Sequence, residues 1–64
     1  MLNQQNRDTI RSVVDATRNR HPDWTRKQIV EGLQHAWFDA GLGESAVSLA
    51  TEYAEELLAE VGVR

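Results

Sequence analysis

Two interruptions divide this chain. Arg20-His21-Pro22-Asp23 and Gly41-Leu42-Gly43 each break a run in which apolar residues return every three or four positions. A residue that precedes proline is driven out of the α region, so His21 cannot carry a helix onward. Glycine tolerates the left-handed conformation in which helices commonly end. Three segments remain, and their apolar residues follow the helical period. No stretch alternates apolar with polar residues, and the β-branched residues are scattered. The pattern predicts an all-α fold.

The first segment predicts a helix over 3–19, with Ile10, Val13, Val14 and Thr17 as a narrow apolar stripe. It is the segment poorest in apolar residues, and its first turn is expected to fray. The second segment carries the best-specified start in the chain. Thr25 and Gln28 have the spacing of a capping box, and Trp24 with Ile29 that of a hydrophobic staple. A helix over 26–40 follows, with Ile29, Leu33, Ala36, Trp37 and Ala40 on one face and Val30 at its edge. Gly41 is the expected left-handed terminator, with Leu42 folding back against Trp37.

The third segment predicts a helix over 45–61, capped by Ser45 and ended by Gly62. Val47, Ala50, Ala54, Leu57, Leu58 and Val61 form its inward face. Links of four or five residues make neighbouring helices run back on one another. The expectation is therefore a small antiparallel three-helix bundle, one domain over 1–64. Gly32, inside the second helix at a cost of about 1 kcal/mol relative to alanine, predicts the close approach of another helix or of a partner's backbone.

Length then limits function. A chain of 64 residues hides only about 60% of its unfolded surface, so its net stability is a few kcal/mol at best. A deep water-excluding pocket is hard to build at that size, whereas a partner adds stability by mass action. With no cysteine in the sequence, disulfides, thiolate metal sites and thiol nucleophiles are excluded. No apolar run is long enough to cross a bilayer. Met1-Leu2-Asn3-Gln4-Gln5-Asn6 lacks the apolar core of a signal peptide, so a cytoplasmic location is expected.

Charge is distributed unevenly. Of the seven basic residues, six lie in residues 1–32, and none occurs between Gln28 and Val63. The second half is almost purely anionic, within a net charge of −3. Arg7, Arg11 and Arg18 share a flank of the first helix, and Glu52, Glu56 and Glu60 form a row on the third. Internal pairing of these two rows is the simplest expectation, worth under about 1 kcal/mol per exposed pair.

Some large apolar residues do not fit the inward faces. Phe38 lies about 120° from the Leu33–Trp37 stripe at 100° per residue. Leu49 and Tyr53, one turn apart on the third helix, are bordered by Glu56 and Glu60. Aromatic and aliphatic residues rimmed by charge have the composition of protein-contact anchors.

Other chemistries find less support in the residues. The turn around Gly41-Leu42-Gly43 suits a helix-turn-helix, but the helix after it offers glutamates where phosphate contact needs lysine or arginine. Nucleic-acid binding would then rest on Arg7, Arg11, Arg18, Arg20, Arg26 and Lys27. Glu31, His35 and Asp39 stand at i, i+4 and i+8, a row that reads as a solvated face before it reads as a zinc site. No nucleophile elbow or phosphate-binding loop is present, so neither catalysis nor a cofactor or metal is expected. The acidic polar face of the third helix argues against anionic membranes.

The sequence thus points to a small acidic helical module that binds a protein partner or itself through its second and third helices. Phe38, Leu49 and Tyr53 are the expected anchors, and Glu52, Glu56 and Glu60 the specificity-giving charges. Small acidic chains of this kind act as inhibitors, antitoxin-like neutralisers or adaptors, an analogy of size and charge alone. A helix-turn-helix-like regulator fragment is the alternative.

Overall fold

A computed structural model describes residues 3–63. Three helices, α1 (Gln4–Arg20), α2 (Arg26–Asp39) and α3 (Glu44–Glu60), pack as an all-α bundle. The α2–α3 seam is the most extensive and the α1–α2 seam the least. Gln34 on α2 meets Thr51 on α3, and Arg7 on α1 lies over Tyr53 on α3. With the two short connections, these pairs run the helices up, down and up.

Each helix end has an identifiable chemical cause. Asn3 caps α1 by accepting from the Asn6 amide at 2.8 Å, and Gln4 donates to Asp8 at 2.9 Å. The first turn therefore begins on a side-chain cap, where the residue pattern suggested fraying. The capping box of α2 is complete: the Gln28 amide donates to the Thr25 hydroxyl at 3.2 Å, and the Thr25 amide to Gln28 Oε1 at 2.8 Å.

Helix α3 departs from expectation at its start. Gly43, not Ser45, holds the extended N-cap conformation (φ −71°, ψ 159°) and offers no side-chain cap. Glu44 stands in the first turn instead, where a carboxylate meets the positive end of the helix dipole.

Helices α2 and α3 end alike. Gly41 adopts φ +89° and Gly62 φ +78°. The amides of Gly41 and Leu42 return to the carbonyls of Phe38 and Trp37 at 3.0 and 3.1 Å. Those of Gly62 and Val63 return to Ala59 and Leu58 at 3.2 and 2.9 Å. Both are the paired 5→2 and 6→1 bonds of a Schellman motif.

The core joins Ile10 and Val14 of α1, Ile29, Val30 and Leu33 of α2, and Ala50, Ala54, Leu57 and Leu58 of α3. Val13, Trp24, Trp37, Tyr53 and Val63 pack around it, half-buried. Trp24 and Ile29 take the places the staple spacing assigned to them. Val61 does not join this core, although its spacing predicted that it would. It is the C-cap of α3 and 55% exposed, because the chain reverses at Gly62 and brings Val63 inward instead.

Ala36 and Ala40 also fall outside the core. Ala36 is exposed on the wall of an open groove between α1 and α2, and Ala40 is the exposed C-cap of α2. Within the chain, what lies against Gly32 is not another helix but the Trp24 indole. A Cβ there would stand 3.2 Å from Trp24 Cζ3.

Candidate functional site

Helix geometry splits the three expected anchors between two sides of the molecule. Phe38 lies one turn after Gln34, whose amide donates to the Thr51 hydroxyl at 3.4 Å, so it flanks the α2–α3 seam. Leu49 and Tyr53 each stand two residues from Thr51, which puts them about 160° away around α3. There Tyr53 meets α1, with the Arg7 guanidinium 5.9 Å from its ring centroid. One contact face cannot gather all three.

Their exposure differs as well. Phe38 is 52% exposed; the third helix does not wrap far enough to cover it. Leu42, four residues on in the loop, is 43% exposed and extends the same apolar end of α2. Leu49 is 39% exposed, while Tyr53 packs half-buried against the core. The expected return of Leu42 toward Trp37 is present in the backbone, its amide reaching the Trp37 carbonyl at 3.1 Å, while 43% of the residue stays in solvent.

The basic residues form no single stripe. Arg7 is engaged with Tyr53, and Arg18 lies 3.9 Å from Asp15 on its own helix. Arg11 has its pKa raised above the ordinary value, chiefly by hydrogen bonding to Tyr53 and next by Tyr53's charge, with Glu60 and Asp15 adding. Arg20, Arg26 and Lys27 are exposed around the α1–α2 turn. The two charged rows expected to pair do not make direct bridges. Arg7 lies over the Tyr53 ring instead, and Arg18–Asp15 is the one ion pair among the described residues. Glu52 and Glu56 are exposed, and Glu60 lines a cleft of about 170 Å³ with Arg11 and Arg18.

Concave surface gathers at the turn between α1 and α2. His21 stacks on Trp24 with ring centroids 3.7 Å apart and planes 5° from parallel. This pair stands between two clefts. One, of about 510 Å³, is lined by Arg18, Pro22, Ile29 and Val63 among others. The other, of about 360 Å³, is the α1–α2 groove. Val13, Ala16, Thr17, Leu33 and Ala36 line it, with Trp24 and Arg20 at its edge. Its existence follows from small residues: Gly32, Ala16 and Ala36 leave unfilled the space that larger side chains would occupy.

The Thr17 hydroxyl donates to the Val13 carbonyl at 2.9 Å, so it presents little unmet polarity to the groove. Glu31, His35 and Asp39 are all exposed, and no cluster of three potential metal ligands occurs among the described residues. None of the helices is long and apolar enough to cross a membrane.

The geometry defines a class: a three-helix bundle with an apolar projection at one end and an open groove near the other. No protein-family model, curated protein or solved structure matches the chain.

Proposed function

We propose that this protein is a small helical protein-recognition module, and that its contact is centred on Phe38 and Leu42 at the end of α2. One observation carries the reading. A chain with a core this small leaves a phenylalanine half in solvent and, four residues on in the loop, a leucine 43% exposed. Single exposed apolar residues need no explanation, but a phenylalanine in the last turn of a helix and a leucine in the loop that follows it have together the character of anchors. Asp39 and Glu44 flank them with negative charge, which favours a partner with a basic rim. Leu49 offers a lesser contact on the other flank. Tyr53 serves packing and the placement of Arg7 and Arg11 first.

Nucleic-acid binding has weaker support. Arg7 lies over the Tyr53 ring and Arg18 beside Asp15, and the cations around the α1–α2 turn share it with Asp23.

The test compares wild type with Phe38→Ala, both confirmed folded by circular dichroism, in affinity capture from cells and on immobilised heparin. The reading expects a protein captured by wild type and lost with Phe38→Ala, and little heparin retention. Steep salt-sensitive binding to heparin that survives Phe38→Ala would replace it with the nucleic-acid reading.

A further inference from the structure

The molecule carries an apolar projection and an apolar groove on different faces. The projection is Phe38 with Leu42, exposed at the end of α2 and in the loop after it. The groove lies between α1 and α2, floored by Leu33 and Val13 and walled by Ala16 and Ala36. On α2, Phe38 points about 120–160° away from Gly32 and Ala36 around the helix axis. No molecule can therefore fill its own groove with its own projection.

The groove measures about 360 Å³. That falls within the size range of sites that enclose small ligands, about 300–1,000 Å³. That volume exceeds what one aromatic ring and a short aliphatic chain occupy.

Charge matches the two surfaces. From Asp39 to Glu60 every charged residue is a carboxylate, and Asp39 and Glu44 border the projection. From Arg18 to Lys27 the chain holds Arg18, Arg20, Arg26 and Lys27 against Asp23 alone. Arg20 stands at the groove itself. Apart from Arg18 with Asp15, none of these groups is ion-paired among the described residues.

We infer that the chain docks head-to-tail on copies of itself, Phe38 and Leu42 of one molecule entering the α1–α2 groove of the next. Asp39 and Glu44 then approach the partner copy's basic turn. This rests on the recognition reading above and names the partner as a second copy. The two surfaces differ, so the contact is heterologous. It extends into a chain unless the rotation closes it into a ring. A contact made of one projection and a charged rim is small, which makes the association weak and dependent on concentration and salt.

Heterologous docking makes a prediction that a twofold dimer does not. Phe38→Ala removes the projection and leaves the groove. Ala36→Trp fills the groove from an exposed position and leaves the projection. In sedimentation velocity, wild type should grow in mass with concentration, and each variant alone should lose at least about tenfold in association constant. Mixed together, the two variants should recover a 1:1 dimer that grows no further, because one supplies the projection and the other the groove. Arg20→Glu, which leaves both apolar surfaces intact, should weaken wild-type association and flatten its salt dependence.

Wild type that stays monomeric at every concentration overturns the inference. So does association unchanged by Phe38→Ala, or a mixture that remains monomeric where wild type associates. If wild type is monomeric yet captures an unlike protein through Phe38, the recognition reading stands and self-docking falls.

Discussion

Phe38 and Gly32 show how much one side chain decides in a protein this small. Half of the Phe38 ring is already in water in the folded state, so its removal forfeits little burial. Phe38→Ala should change unfolding free energy by less than about 1 kcal/mol in urea titration of dilute protein. A loss of about 3 kcal/mol or more is the mark of a core phenylalanine and would place it there. Gly32 involves two opposed effects. Alanine there gains about 1 kcal/mol of helix propensity, but its Cβ meets the Trp24 indole at 3.2 Å. Trp24 is half-buried in a connecting segment and stacks on His21, so it has freedom to yield. Gly32→Ala should therefore raise stability by a few tenths of a kcal/mol up to about 1 kcal/mol, with a change in tryptophan emission as the indole shifts. A destabilised variant would mean that the indole is held fast.

At the scale of the helices, capping chemistry separates what residue order reveals from what it hides. Thr25→Ala removes the hydroxyl that accepts from the Gln28 amide, while the Thr25 amide keeps its bond to Gln28 Oε1, and should cost about 1 kcal/mol, seen as a lower melting temperature. An unchanged melt would mean that α2 does not depend on that cap. Gly41→Ala forces a side chain into φ +89° and should cost about 1–2 kcal/mol in the same assay. The start and end of α2 were legible because both signals are local: a hydroxyl three residues before a glutamine, and a glycine after the last apolar turn. The start of α3 was less so. Ser45 has the right side chain, but Gly43 already holds the extended backbone that a cap requires, which places Ser45 inside the first turn. Periodicity misjudged Val61 for a related reason. It extrapolates a straight helix, and the Schellman reversal at Gly62 substitutes Val63 for it in the packing.

The whole molecule depends on relations between helices that spacing along one helix does not contain. Residue spacing put Phe38, Leu49 and Tyr53 off the inward faces, which holds for Phe38 but not for Tyr53, packed half-buried against the core. Spacing did not fix that α2 and α1 cover opposite flanks of α3, and this divides the three residues between two surfaces. The groove was equally invisible, since it arises where two helices stand apart over small side chains. The molecule spans only 29 × 23 × 15 Å between its Cα extremes, yet it keeps 4646 Å² of accessible surface. A chain of this mass is expected to expose about 4,100 Å².

The most direct test is a concentration series of amide and methyl correlation spectra on wild type, from about 20 μM to about 2 mM, spanning the weak regime expected for a small contact. Signals of Phe38, Leu42 and Glu44 should shift together with those of Ala16, Arg20, Gly32 and Ala36. Ile29 and Leu58, enclosed in the core, should stay fixed, as should the Arg7–Tyr53 flank. Spectra that do not change with concentration, or changes centred on Leu49 and Tyr53, would contradict the account.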